Sequence, residues 1–250
     1  MSFWHHNPVI RWVVRLGAIL CAVPVQADWI LIEDFEDFAV GTYTEGGDPG
    51  LPYPVASCAG QGLMDVVTGI EGISGEKAGF FYSWIAQDAF HQIPLPEEIP
   101  INGRGTLFFR IWHEIPETAL NWYVMISKVA AGAEPVCSPP FPNQSAILRY
   151  FGDGDDKCLL AHKYDGEYLR PEPPFAQEPE GWHAYWIVLD NAYDNIIQSG
   201  DAGYSIYRKG PDDVSPRLMF WGQDDPRYKL PFRNQALASL KAMVIWYWGQ

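Results

Sequence analysis

The chain has 250 residues, with 31 acidic against 17 basic side chains for a formal net charge of −14, and 11 Trp, 13 Tyr and 13 Phe. So acidic a balance excludes nucleic acid and anionic membrane surfaces as general partners, because both are polyanions that bind basic patches. It suits a neutral or cationic ligand or a divalent cation, and a strongly anionic polysaccharide would require a local basic patch.

Residues 1–27 read as an export signal. Arg11 and Arg15 supply positive charge, 16–23 is a short apolar run, and Val25-Gln26-Ala27 places small residues before a cut ahead of Asp28. The run is shorter than the roughly 20 apolar residues a spanning helix needs, so no membrane insertion is expected after cleavage. Bulky Leu20 before Cys21 argues against a lipoprotein signal. Cleavage leaves residues 28–250 as one β domain, carrying 15 basic against 31 acidic residues, or −16. The expected location is secreted, periplasmic or at the cell surface, where thiols pair. Cys58, Cys137 and Cys158 remain; Cys137 with Cys158 is the preferred pair, leaving Cys58 over, although spacing alone does not exclude the other pairings.

Strands are predicted at Trp29–Asp34, Leu63–Thr68 and Gly79–Trp84, with a long Gly/Pro surface loop over Gly41–Pro54 and a break over Pro94–Pro100. The turn cluster Asn102-Gly103-Arg104-Gly105 feeds a strand at Thr106–His113, with Trp122–Lys128 as its expected antiparallel neighbour. Ala146–Phe151 and Lys157–Tyr164 flank Gly152-Asp153-Gly154-Asp155, which predicts a hairpin. The central feature is Trp182–Asp190 followed by Tyr204–Arg208. Both faces of Trp182–Asp190 are mostly apolar, which predicts a strand enclosed within a sandwich. Arg217–Gly222 and Lys241–Trp248 complete about ten short strands, with one helical turn possible at Asn234–Leu240. The sum predicts an all-β antiparallel sandwich or jelly roll.

WILIEDFEDF over Trp29–Phe38 resembles the opening of concanavalin A-like, laminin-G-like jelly-roll domains of secreted bacterial proteins. Trp182–Gly210 resembles that family's paired strands, W-x-x-x-W-hydrophobic-x-hydrophobic-D then Y-x-hydrophobic-Y-x-x-G. Phe232-Arg233-Asn234 with Met243–Trp246 resembles its closing region. The resemblance implies a concanavalin A-like fold, which hosts lectins, adhesion modules, glycoside hydrolases and polysaccharide lyases alike. The family's last strand usually returns beside the first. Here either Lys241–Trp248 closes the sheet or an edge is left that needs a partner. Related jelly rolls often hold a structural calcium near the first strand, which makes Glu33, Asp34 and Glu36 the candidate ligands; the alternative is solvated turn acids.

Catalytic candidates are sparse. The strand motif E-x-D-x-x-E of the fold's best-known hydrolases is absent, and Glu114 and His113, after a strong strand, are the nearest substitutes for a cleft acid and base. HEIPE is not a zinc motif, since Glu117 stands where the second His belongs and Pro116 breaks the helix it needs. A lyase would want a Tyr or His base with cations to neutralise a uronate, for which Arg110, His113, Tyr123 and Lys128 on adjacent strands are available. Sugars dock their C–H faces on flat rings, so Trp84, Trp112, Trp122, Tyr123 and Trp221, near strand ends beside polar residues, are the candidate carbohydrate-binding residues. Trp186 and Trp246, inside apolar strands, are assigned to the core. The expectation is therefore a secreted polysaccharide-binding sandwich. The alternatives are a polysaccharide-degrading lyase or glycoside hydrolase and a cell-surface adhesion or structural module.

Overall fold

A computed structural model describes Ile30, Asp37 and residues 39–44, 55–57, 62–68, 77–83, 88–113, 120–132, 143–151, 158–162, 168–169, 181–192, 203–219, 230–232 and 238–249. The chain divides into two compact units, Met1–Leu31 and Ile32–Gln250, and every described strand belongs to the second. The export signal, and the opening strand apart from Ile30, lie outside the described residues.

The strands are β1 (Gly41–Thr44), β2 (Val55–Ser57), β3 (Gly62–Thr68), β4 (Lys77–Ser83), β5 (Asp88–Ile99), β6 (Arg104–His113), β7 (Leu120–Ser127), β8 (Gln144–Phe151), β9 (Cys158–His162), β10 (Tyr168–Leu169), β11 (Gly181–Asp190), β12 (Gly203–Lys209), β13 (Arg217–Leu218), β14 (Leu230–Pro231) and β15 (Leu240–Gly249). All described pairings are antiparallel, and no helix occurs among the described residues. A small sheet runs β1-β3-β4, a seven-stranded sheet β10-β9-β8-β7-β15-β5-β2, and a five-stranded sheet β13-β12-β11-β6 with β14 also on β12. The all-β antiparallel sandwich expected from the sequence is the fold observed.

The sandwich closes on an aromatic seam. From β7, Trp122 stacks on Tyr150 of β8 (5.8 Å between centroids, 11°) and meets the ring of Tyr185 of β11 edge-on at 6.1 Å. Phe109 of β6 in turn stacks on Tyr185 at 5.3 Å, the two being directly opposed across strands. Such pairs add about 1 kcal/mol each beyond the area they bury. Alternation decides the rest. Leu107, Phe109 and Ile111 face inward with Tyr185, Ile187, Leu189, Tyr204 and Ile206, and opposite them lie Val124, Ile126, Ala146, Leu148 and Met243. The Tyr204 hydroxyl crosses between sheets to donate to the carbonyl of Ile147 at 3.2 Å. On the reverse side of the large sheet Tyr123, Met125, Ile147, Val244 and Trp246 are buried as well, which accounts for the continuous apolar runs of β7 and β15.

Several expectations need correction. The loop expected over Gly41–Pro54 begins instead with β1, paired to β3 from Gly41↔Val66 to Thr44↔Leu63. The Pro-rich break expected over Pro94–Pro100 is largely strand. β5 continues to Ile99, although between Pro94 and Ile99 its register against β15 advances five residues while β15 advances two. β2 covers only Ala89–His91, so beyond His91 β5 has a described partner on one side alone, β15, where Pro94 stands opposite Ala242 just before the register shift. β7 is not the neighbour of β6. It pairs with β8 and β15 in the large sheet, while β6 pairs along its whole length with β11. The cross-strand couples Trp112–Trp182, Phe109–Tyr185 and Phe108–Trp186 favour that choice. β11 is enclosed on one face only. β15 lies between β7 and β5 in mid-sheet, so it is not an open edge. The strand expected over Arg217–Gly222 shortens to Arg217–Leu218 among the described residues. The hairpin expected around residues 152–155 does form, as β8 and β9 paired from Phe151↔Cys158.

One end of the sandwich is tied by Asn191. Its side-chain amide donates to the carbonyls of Ile99, Pro100 and Ala238 at 3.2, 3.0 and 3.1 Å. Its backbone exchanges bonds with the turn before β6, receiving from Asn102 N (2.7 Å) and donating to Gly103 O (2.9 Å). Asn102 holds that turn in the left-handed region at φ 65°, a conformation Asn tolerates better than most residues.

Candidate functional site

The outer face of the β6–β11–β12 sheet is built by the same alternation that fills the core. Thr106, Phe108, Arg110 and Trp112 on β6, Trp182, Ala184, Trp186 and Val188 on β11, and Ser205, Tyr207 and Lys209 on β12 all point away from it and are half-buried or exposed. Register arranges them in rows across the strands. Trp112 lies opposite Trp182; Arg110 opposite Ala184 and then Lys209; Phe108 opposite Trp186, Tyr207 and Leu218; Thr106 opposite Val188 and Ser205.

Two rows are aromatic. Trp112 and Trp182 meet edge-to-face at 5.6 Å and 72°, and Phe108 and Trp186 are tilted at 42° and 5.1 Å. The Arg110 guanidinium lies over the Trp182 ring, 4.9 Å from its centroid. With about 3.4 Å per residue along a strand, the Trp182 and Trp186 positions stand roughly 13 Å apart. Phe108 is 41% exposed and Val188 38%, so this face keeps apolar surface in water that the core could not take.

Beneath it a buried network fixes the end of β12. The Nδ1 of His183 accepts from Arg208 Nε at 3.1 Å and Nη2 at 2.9 Å. Because Arg has only donors, this ring is neutral with its proton on Nε2. Arg208 also reaches Asp213 at 3.9 Å, and Asp213 accepts from the Gly210 amide at 2.8 Å and from Arg217. Burial works to raise the Asp213 pKa, but the Gly210 amide, Arg217 and Arg208 outweigh it and hold the carboxyl below its usual range. The strand end carrying Lys209 is thereby anchored.

Of the residues expected to bind sugar, Trp112 is brought to this face. Trp122 instead packs in the seam between the sheets. Tyr123, 2% exposed, lies on the far side of the large sheet between the edge of Trp246 (4.5 Å) and the guanidinium of Arg149 (5.0 Å). Trp84, Trp221, Glu114, Glu33, Asp34, Glu36 and Cys137 lie outside the described residues. His113 closes β6 opposite Gly181, and Cys158 opens β9. Lys128 follows the end of β7, outside the strand, with its ammonium over Phe232, and Tyr123 is in the large sheet while Arg110 is in the five-stranded one, so the array of Arg110, His113, Tyr123 and Lys128 is not assembled on one face. Among the described residues no three His, Cys, Asp or Glu converge as a metal site.

Trp182, Phe108, Tyr207 and Lys209 are not among the candidate binding residues named from the sequence, and Trp186, assigned there to the core, is on the outer face. The alternation Arg104-Thr106-Phe108-Arg110-Trp112 against Leu107-Phe109-Ile111 already carries the signal, since the side holding two arginines and a threonine must face water. Compared with known proteins, the chain matches no family model and no curated protein significantly.

Proposed function

We propose that the protein is a secreted carbohydrate-binding sandwich of the concanavalin A-like type that takes a polysaccharide on the outer face of β6, β11 and β12. The observation that carries this reading is the pair of half-exposed aromatic rows on a sheet whose inner face is locked into the core. Rings held by a rigid sheet stack on sugar C–H faces with little ordering cost, and the polar edges of Trp and Tyr can bond hydroxyls. No Asp or Glu occupies the rows from Thr106 to Trp112, which suits retention better than hydrolysis by paired carboxylates. The export reading brings with it the Cys137–Cys158 pairing, open to peptide mapping without reduction, and a calcium near Glu33, Asp34 and Glu36, open to calcium titration.

The test is affinity electrophoresis of the mature chain against a panel of neutral and uronic-acid polysaccharides, with reducing ends followed in parallel. Retention that is lost in Trp182→Ala and Trp186→Ala supports the reading. Release of reducing ends would make the protein an enzyme, and absence of retention on every glycan would move it to the adhesion class.

A further inference from the structure

Resting on that reading, we infer that the face selects carboxylated polysaccharide, holding a uronate in a cationic slot between the two aromatic rows. Ala184 is the small residue at the centre of the face, and register places Arg110 on one side of it and Lys209 on the other. Neighbouring strands lie about 4.8 Å apart, so the two cations stand on backbones separated by roughly 10 Å with only a methyl group between them. Trp112 and Trp182 wall the slot on one side; Phe108, Trp186 and Tyr207 wall it on the other.

The chain is acidic, yet neither cation pairs with a carboxylate among the described residues; there, the contact Arg110 makes is with the Trp182 ring. On this face the nearest carboxylate in β11 is Asp190, six residues from Ala184 and bound to Arg104 at 3.1 Å. That is roughly 20 Å along the strand, more than twice the Debye length of about 8 Å at physiological ionic strength. In the turn after Lys209, Asp213 is engaged by Arg217 and Gly210, and Asp212 is exposed. Among the described residues, then, no carboxylate is paired with either cation of the slot. A planar carboxylate fits the guanidinium fork of Arg110, the Lys209 ammonium supplies a point charge, and the sugar ring bearing that carboxylate lies against indole. A neutral glycan would use the rings and leave both cations hydrated.

The experiment compares polygalacturonate with the same polymer fully methyl-esterified, which removes the charge and keeps the chain, using wild type, Arg110→Gln with Lys209→Gln, and Trp186→Ala. Far-ultraviolet circular dichroism and thermal midpoints confirm folding of each. The expected result is at least about tenfold tighter binding of the free acid by wild type. The double variant should lose that preference while keeping its binding to the ester, and Trp186→Ala should lose both. Equal binding of acid and ester by wild type would overturn the uronate assignment and leave the carbohydrate reading standing. Binding to neither polymer nor any other glycan would remove both. Capture of acidic proteins by Arg110 and Lys209 with no glycan bound would replace the ligand class.

Discussion

Asn191 is the most exacting place to test the account of how the two sheets are joined. Its amide offers two protons to three carbonyls, so it is worth about two full hydrogen bonds, and the residue is 4% exposed. Asn191→Ala removes both donors and strands buried acceptors, which should cost about 2–3 kcal/mol. Asn191→Asp is worse at neutral pH, because it presses a desolvated carboxylate against three carbonyl oxygens; the expected loss is about 4–5 kcal/mol. The carboxyl introduced by that substitution would titrate higher in the folded than in the unfolded chain, so the folded state would bind more protons as pH falls. The excess loss over Asn191→Ala should therefore shrink toward pH 4, where the acid is largely neutral and can donate one bond. Urea unfolding at pH 7 and pH 4 reads both effects, and thermal midpoints should fall by about 2–4 °C per kcal/mol. An Asn191→Asp variant within about 1 kcal/mol of wild type at pH 7, or an excess loss that ignores pH, would refute the reasoning.

Three other outcomes follow from the same geometry. His91 is fully buried against Tyr247, its Nε2 3.1 Å from the hydroxyl, and burial lowers its pKa to about 3. The unfolded chain takes up that proton near pH 6.5 and the folded chain does not, so stability should fall below pH 6.5 by about 1.4 kcal/mol per unit, or about 2 kcal/mol at pH 5. Urea midpoints of wild type and His91→Gln across pH 5–7 check this, the variant showing the shallower slope. Gly181 has φ +136°, and a Cβ there would lie 2.9 Å from Pro211 Cγ. Gly181→Ala should lose about 2 kcal/mol by the same assay. Arg208→Met removes the cation between His183 and Asp213 and should cost about 3 kcal/mol in chemical denaturation, despite conserving much of the side-chain length.

The sequence told strands from turns well where local chemistry decides. Thr106–His113, Trp182–Asp190 and the hairpin at Phe151↔Cys158 all stand within a few residues of their predicted bounds. It misled where partners decide. Pro94 and Pro96 are strong breakers only if a neighbour needs their N–H, and where β2 ends and where the register of β15 shifts are tertiary facts. The pairing of β6 with β11, far along the chain, beats the nearby β7 because both strands carry large rings on both faces, something no short window reveals. Trp112 was legible as a residue of the outer face, since it stands near the end of a strand beside His113. Trp186 was not, because an apolar strand in a sandwich reads the same whether one of its faces meets water or protein.

That ambiguity is also why the outer face bears on function. A strand with aromatics on both sides costs nothing when both are buried, but here burial was available to one side only. Trp182, Trp186, Phe108 and Val188 remain at the solvent boundary, where Thr, itself a good strand former, would keep the surface polar. Rings left in water give up the roughly 25 cal/mol per Å² that burial would return. Cross-strand contacts such as Phe108 with Trp186 recover part of that, while Phe108 and Val188 still keep 41% and 38% of their surface in water. Such contacts do not account for two cations in the row between that meet no carboxylate among the described residues. A purely structural face would have matched Arg110 or Lys209 with one of the chain's 31 acidic residues, as Arg104 is matched with Asp190 and Arg217 with Asp213. Partly exposed rings and two cations that meet no carboxylate among the described residues, in one register, are together what a bound uronate would complete.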